Sequence, residues 1–273
     1  DDEAQELDPP SFGILAHSVL DRFARSEDAQ STSAKNIKQR LDGILDEVVH
    51  QTFAAKALPT VALQVEQLRT RLGALSEFQA GWARDGWIIE HSEARSPVDG
   101  VPFEVDGAAV RLSGRVDRID HNPRTGEWLL IDYKTGDRGA ELKNVRGRDG
   151  AWKDLQLPLY AAAVEATRGL RVAGLEWVAA SARLRRGTWS GDREDLANGR
   201  REAKPPNLLD ADLFREALDG AVARAAEAVA AVRGGSHAKQ QEDPQRCGTC
   251  AWRTACRPSW GSSPGSDDEG GRP

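Results

Sequence analysis

Two short segments carry acidic and basic side chains at spacings that could support catalysis. Residues 112–120 read LSGRVDRID, and residues 130–136 read LIDYKTG. Because side chains at positions i and i+2 of an extended strand point to the same face, Asp132 and Lys134 project together while Tyr133 points away. The second segment therefore brings a carboxylate and an ammonium group into one small site.

Asp117 of the first segment can approach Asp132 if the two segments are neighbouring antiparallel strands. Two carboxylates that converge near a backbone carbonyl form an oxygen-rich site for a hard divalent ion such as Mg²⁺. Such an ion would polarise a phosphoryl oxygen and lower the pKa of a water. Lys134 would orient or deprotonate that water and stabilise the developing negative charge. A purely structural interpretation is also open, in which Asp117 and Arg118 form an ion pair at a strand end.

Further along the chain, Gln156 and Tyr160 are four residues apart in the apolar run 155–160, so they share one face of a helix. A glutamine that faces a cavity beside an aromatic hydroxyl is suited to bind a phosphate or a base. Basic residues in 134–148 and 183–204 could line a nucleic-acid strand, with Trp152 and Trp189 stacking on bases. Solvated loops and a core position for Trp152 are the alternatives.

The three cysteines, Cys247, Cys250 and Cys256, fall within ten residues of one another. This clustering favours a metal site over a disulfide framework. Thiolates at this spacing can bind tetrahedral Zn²⁺ or an iron–sulfur cluster, although three ligands leave one position to be filled. His237 or water could complete a zinc site, and three free thiols are the remaining alternative.

The elements that must position these motifs are predicted from the spacing of apolar residues. A period of three to four residues predicts helices over 11–25 (capped by Ser11), 34–56, 60–84, 151–168 and 211–233. A period of two predicts strands over 87–93, 110–118, 128–133, 172–180 and 183–189. Turn-rich residues 121–126 join the second and third strands as a hairpin. This order of elements predicts an α/β fold of the mixed α+β kind.

Composition narrows the class of protein. The chain has 273 residues, of which 39% are hydrophobic and 29% charged, enough for a buried core. No apolar run reaches the length of a membrane span and no signal peptide is recognisable, so we expect a soluble, cytoplasmic protein without a membrane partner.

The net charge is −6, but acidic residues concentrate at both ends, so the near-neutral body can still hold a phosphate-binding groove. Because the chain lacks Met, we expect it to be a piece of a longer protein.

Taken in chain order, the motifs resemble those of the RecB-type branch of the PD-(D/E)xK nucleases. The resemblance spans about residues 11–256 and rests on Gly13-x-x-x-His17, Gly114-x-x-Asp117-Arg118-Ile119-Asp120, Ile131-Asp132-Tyr133-Lys134-Thr135-Gly136 and Gln156-x-x-x-Tyr160. It implies a restriction-endonuclease-like core, in which a central mixed sheet is flanked by helices, together with an N-terminal helical region.

The resemblance also implies a role for each motif residue. The metal, Mg²⁺ or Mn²⁺, would be held by His17, Asp117, Asp132 and the Tyr133 carbonyl. Lys134 would be the catalytic lysine, and Gln156 and Tyr160 would border the DNA path. Taken alone, a histidine on a helix is more often a packed residue than a ligand.

A further acidic residue precedes the Gly114 motif in the family. Glu93 fits this position better than Glu90, because its spacing from Gly86 and Trp87 matches.

The AddB group and its relatives within this family carry the same three-cysteine tail. A fourth cysteine before the histidine-bearing helix completes a four-iron four-sulfur (4Fe-4S) cluster there. No cysteine precedes Ser11 in this chain, so the resemblance implies that the fourth ligand lies upstream in the parent protein. The cluster would be structural and would tie the ends of the nuclease domain together.

The resemblance implies a metal-dependent deoxyribonuclease, an exonuclease rather than an endonuclease, at the nuclease end of a helicase–nuclease in double-strand break repair and recombination. Its partners would be DNA, as single-stranded ends, and a helicase subunit or domain. No Gly-x-x-x-x-Gly-Lys-Ser/Thr phosphate loop is present, so a motor would reside elsewhere. A catalytically silent DNA- or helicase-binding scaffold is one alternative, and a stand-alone exonuclease of the CRISPR-adaptation type is another.

The predicted organisation has three parts, an acidic lead over 1–10, a nuclease domain over 11–256 and a disordered tail over 257–273. Within the nuclease domain we expect a helical part over 11–85, a catalytic sheet core over 86–190, and a C-terminal helix with the cysteine cluster over 211–256.

Overall fold

The computed structural model describes residues 6–53, 59–94, 99–136, 145, 152–179, 185–190 and 211–235. Packing divides the chain into two compact units, Asp1–Glu227 and Ala228–Pro273. The described part of the second unit, residues 228–235, is the end of a helix and the turn after it. The cysteine cluster predicted at Cys247, Cys250 and Cys256 and the tail predicted over 257–273 lie outside the described residues.

Helices occupy the N-terminal part. These are α1 (Pro9–Ala24), a short 3₁₀ helix (Glu27–Gln30), α2 (Ala34–Phe53) and α3 (Pro59–Arg84). The cap predicted at Ser11 is wrong, because the Asp8 carboxylate accepts a hydrogen bond from the Ser11 backbone N–H at 2.8 Å. Pro9 begins the helix at a position where a backbone N–H would have no partner within the helix, so the lack of an N–H in proline costs no hydrogen bond.

The remaining elements are five strands, a helix, two strands and a final helix: β1 (Ile88–Ala94), β2 (Gly100–Val105), β3 (Ala108–Leu112), β4 (Val116–Asn122), β5 (Glu127–Lys134), α4 (Gln156–Arg168), β6 (Val172–Ala179), β7 (Arg185–Ser190) and α5 (Ala211–Arg233). Five strands form one sheet in the order β1-β4-β5-β6-β7, and β2 pairs with β3 in a separate hairpin. The pair β5–β6 is parallel, while the other neighbours are antiparallel. A mixed sheet with flanking helices and an N-terminal helical region confirms the predicted fold class.

Two element predictions are wrong. The single strand expected over 110–118 is two strands in different sheets, separated at residues 113–115. At this break, a Cβ on Gly114 would clash with the Tyr160 ring and hydroxyl, so the chain passes against α4 rather than continuing the ladder. The helix expected over 151–168 begins only at Gln156, whose backbone N–H donates to the Asp154 carboxylate at 2.9 Å.

Both faces of the sheet are buried, as strand β5 shows. Leu129 and Ile131 belong to a core cluster shared with α1, α2 and α3, whereas Leu130 belongs to a second cluster shared with α4 and α5. Successive side chains of a strand point to opposite faces, so β5 packs against helices on both sides. The core alternative for Trp152 is confirmed, because its ring is buried and its Nε1 donates to the Ala217 carbonyl at 2.8 Å.

None of the helices in the described ranges has the length and apolar character that crossing a bilayer requires.

Candidate active site

The site forms where β4 begins and β5 ends. The two strands pair antiparallel with Arg118 opposite Ile131, which places Asp117 opposite Asp132. One Asp117 carboxylate oxygen accepts a hydrogen bond from the Tyr133 backbone N–H at 2.8 Å. The predicted approach of the two acidic segments is therefore confirmed.

His17 reaches this place from helix α1. Its Nδ1 lies 2.7 Å from Glu93 Oε1 and 3.7 Å from Asp117 Oδ1. Gly13, one turn earlier, is the point where α1 passes β5, since a Cβ there would be in ordinary contact with the Thr135 hydroxyl at 3.9 Å. The Gly13 and His17 motif thus places the imidazole beside the carboxylates.

Glu93 owes its position to an irregularity in β1. Ile89 lies opposite Asp120 and His91 lies opposite Ile119, so Glu90 is an extra, bulged residue. With a regular ladder Ser92 would face Asp117, and the bulge puts Glu93 there instead. The backbone of Glu93 has φ +49°, a left-handed conformation that costs free energy for a residue other than glycine.

Lys134 and Asp132 form an ion pair on one face of β5, as their spacing predicts. Lys134 Nζ lies 2.6 Å from Asp132 Oδ2, and the Asp132 side chain is almost fully buried. Burial lowers the pKa of Lys134, but the neighbouring carboxylates, chiefly Asp132, together outweigh this effect and the pKa is raised. Lys134 is therefore suited to act as a fixed cation rather than as a base.

Asp117 lies close to two other carboxylates, Asp132 and Glu93, despite their electrostatic repulsion. Burial, followed by the charge of Asp132, raises the pKa of Asp117 to about 6, although His17 opposes the shift. Burial lowers the pKa of His17, but the hydrogen bond to Glu93 and the nearby carboxylates outweigh it, so the net shift is upward. A cation placed among these groups would relieve the repulsion.

The ligand atoms of His17, Glu93 and Asp117 lie within 4.8 Å of one another. One imidazole nitrogen with two carboxylate oxygens is a donor set that fits a divalent ion such as Mn²⁺ or Mg²⁺. Asp132, predicted as a ligand, lies outside this group and pairs with Lys134.

The other predicted site residues occupy different surroundings. Tyr133 points away from Lys134, as expected, and its hydroxyl accepts a hydrogen bond from Arg118 Nη1 at 3.0 Å. Tyr160 lies against Gly114, and Gln156 is exposed in the first turn of α4. Among the described residues, neither Gln156 nor Tyr160 makes a side-chain hydrogen bond to the carboxylates of the site.

Sequence reasoning did not identify a buried network behind the site. Arg118 donates two hydrogen bonds of 2.6 Å to Asp120 and one of 2.8 Å to Gln79 Oε1, while Trp82 Nε1 donates to Asp120 Oδ2 at 2.6 Å. The proposed Asp117–Arg118 ion pair is therefore wrong. The i, i+2 spacing of Arg118 and Asp120 was the available signal, because it places both on one face of β4.

Arg115 was also missed. Its Nε lies 2.8 Å from Glu93 Oε2, directly beside the group that could bind a metal. It stands between Gly114 and Asp117 in the motif, but it precedes β4, so strand periodicity could not predict its direction.

Comparisons with known proteins identify proteins that are similar to this chain in sequence. The chain is 25% identical over 167 residues to an ATP-dependent helicase/deoxyribonuclease subunit from Ruminiclostridium cellulolyticum, a match covering 51% of this chain and 13% of that protein. It is 24% identical over 173 residues to the protein of the same name from Clostridium acetobutylicum, covering 58% of this chain and 15% of the relative. The chain thus matches only a small part of these proteins.

A family model described as the PD-(D/E)XK nuclease superfamily matches residues 1–257. This match includes the paired strands that carry Asp117, Asp132 and Lys134 and extends over nearly the whole chain. We conclude that the chain belongs to the PD-(D/E)XK nuclease superfamily.

Proposed function

We propose that this chain is a metal-dependent deoxyribonuclease domain of a larger helicase–nuclease, and that it hydrolyses phosphodiester bonds. The observation that carries the proposal is the junction of β4 and β5, where Asp117 is hydrogen-bonded to the backbone of the strand that presents the Asp132–Lys134 pair. Membership of the nuclease superfamily and the similarity to helicase/deoxyribonuclease proteins support it.

In this proposal His17, Glu93 and Asp117 hold a divalent ion, with Asp132 and the Tyr133 carbonyl as further predicted ligands. When bound, such an ion supplies Lewis-acid chemistry, which polarises the phosphodiester and lowers the pKa of water. Lys134, kept protonated by Asp132, donates hydrogen bonds that orient the attacking water and stabilise negative charge on the phosphate. Hydrolysis adds the elements of water across one P–O bond, so no further co-reactant is needed.

We further propose that the substrate is DNA with single-stranded ends, cleaved as an exonuclease with Mg²⁺ or Mn²⁺, and that a helicase subunit or domain delivers it. Gln156 and Tyr160 would border the DNA path, because both lie on α4 and Tyr160 lies against Gly114, two residues before β4. Repair and recombination of double-strand breaks is the corresponding biological setting.

The cysteines support a separate proposal, a structural 4Fe-4S cluster held by Cys247, Cys250 and Cys256. Three thiolates supply three of the four ligands that such a cluster takes, so the fourth must come from another group. Anaerobic reconstitution followed by visible absorption and iron analysis tests this. A cluster band that disappears when the three cysteines are replaced by serine would support it, whereas bound zinc without iron would contradict it.

The nuclease proposal is tested by degradation of labelled linear single-stranded DNA in Mg²⁺ or Mn²⁺. We expect metal-dependent cleavage by the wild-type chain and at least a hundredfold loss in Asp132→Ala and Lys134→Ala, because each removes a charge next to the reacting phosphate. Glu104→Ala, which removes an exposed carboxylate on β2, is the matched control and should retain activity. Metal binding without cleavage by the wild-type chain would instead favour a DNA-binding scaffold.

A further inference from the structure

The charged groups of the site differ sharply in exposure. The Glu93 and Asp117 side chains are only 12% exposed, and Lys134 is 30% exposed, whereas Arg115 is 58% exposed. An anionic substrate that approaches from solvent therefore meets Arg115 before it meets the carboxylates.

Arg115 nevertheless forms an ion pair on one side. Its Nε lies 2.8 Å from Glu93 Oε2, while the other oxygen of Glu93 lies 2.7 Å from His17 Nδ1. Within the part of the chain that the structure describes, the two terminal amino groups of Arg115 have no acceptor. A guanidinium that is paired with a carboxylate at Nε and open at its other end can bind a phosphate with two parallel hydrogen bonds.

The order of the strands places the two cations on opposite sides of the carboxylates. Glu93, with Arg115, lies on the β1 side of β4, and Lys134 lies on the β5 side. A phosphodiester bound at His17 and Asp117 would therefore be flanked by a fixed cation on each side.

We propose that Arg115 is a catalytic residue that binds the phosphate of the substrate at this site, with Glu93 holding its guanidinium in position. This inference rests on the proposed nuclease function and assigns to Arg115 a contact that the motif residues do not provide. Fixing the guanidinium before the substrate arrives lowers the ordering cost of phosphate binding. The competing explanation is that Arg115 only neutralises Glu93.

The first test measures binding of fluorescein-labelled oligothymidine by anisotropy, with Ca²⁺ in place of Mg²⁺ to suppress turnover, over a series of salt concentrations. Loss of one phosphate contact in Arg115→Gln should weaken binding and reduce the slope of log Kd against log salt by about 0.7, the value for one single-strand phosphate. Arg111→Gln, which removes an exposed arginine four residues away, should leave the slope unchanged. An unchanged slope in Arg115→Gln would overturn the proposal.

The second test measures kcat and KM at saturating Mn²⁺. Arg115→Gln should lose about tenfold to a hundredfold in kcat/KM, Arg115→Lys should lose less, and Arg111→Gln should stay near wild type. If Arg115→Gln changes only the affinity for Mn²⁺ and leaves kcat/KM intact, then Arg115 merely neutralises Glu93 and the proposal is wrong. An inactive wild-type chain would contradict the nuclease function, and the anisotropy test would still decide the phosphate contact.

Discussion

At the scale of single residues, the site brings together groups that would repel one another without a cation. Asp117 shows this most directly, because its carboxylate is buried, lies opposite Asp132, and has its pKa raised to about 6. A buried carboxylate whose pKa is raised destabilises the folded state wherever it is ionised. A metal ion bound beside Asp117 would offset this unfavourable free energy.

The sign of this effect gives a prediction for the metal-free chain. Well below the unfolded value of 3.8, Asp117 is protonated in both states and contributes nothing unfavourable. As the pH rises toward about 6, Asp117 ionises more readily in the unfolded state than in the folded state. The free energy of unfolding therefore falls. We expect Asp117→Asn to be more stable than wild type at pH 8 by up to roughly 3 kcal/mol, and to differ little at pH 4.

Urea unfolding in the presence of EDTA at the two pH values measures this difference. Adding Mn²⁺ should then stabilise the wild-type chain but not Asp117→Asn, because only the wild type retains the ligand. An Asp117→Asn variant that is less stable than wild type at pH 8 would contradict this account of the site.

At the scale of secondary-structure elements, the bulge in β1 determines which glutamate reaches the site. Glu90 is the extra residue of the bulge, and Glu93 lies opposite Asp117 with a left-handed backbone. The two glutamates are close in sequence and differ mainly in this placement, so they provide a matched pair of variants.

We expect Glu93→Gln to weaken Mn²⁺ binding by about tenfold to a hundredfold, because it removes a charged oxygen from the group formed with His17 and Asp117. Glu90→Gln should change the affinity by less than about twofold. Calorimetric titration of each variant with Mn²⁺ measures both values. Equal effects of the two substitutions would show that the register of β1 is not what places the metal site.

At the scale of the whole molecule, the Arg118–Asp120 pair joins parts of the chain that are distant in sequence. It links β4 to Trp82 and Gln79 of α3 and to the Tyr133 hydroxyl of β5, and it is fully buried. Helix α3 is therefore bonded to the strands that carry Asp117 and Asp132.

Removing only Arg118 leaves Asp120 buried without its charge partner. We expect Arg118→Met to lower the free energy of unfolding by about 3–5 kcal/mol, whereas a double variant with Asp120→Leu should recover much of the loss because no buried charge remains. Arg40→Met, at a half-exposed position on α2, is the control and should change stability little. Urea unfolding measures the free energy of unfolding of each variant. A double variant that is no more stable than Arg118→Met would contradict the charge-burial explanation.

Much of the fold follows from local spacing alone. The three N-terminal helices, strands β1, β5 and β6, and α5 lie close to their predicted bounds, because apolar periods of two and of three to four residues report directly on local backbone geometry. The same reasoning correctly places Asp132 and Lys134 side by side and turns Tyr133 away.

The sequence by itself determined the helices, most of the strands and the shared face of Asp132 and Lys134, because each depends on neighbours a few residues apart. Only the tertiary structure decided that Glu93 rather than Ser92 faces Asp117, that Trp82 and Gln79 of α3 bond to the Arg118–Asp120 pair, and that Arg115 reaches Glu93. These contacts depend on strand register, on the break at Gly114 and on the packing of α3 against β4. The pairing partners come from segments far apart in the chain, so their contacts exist only once the sheet and its helices have packed.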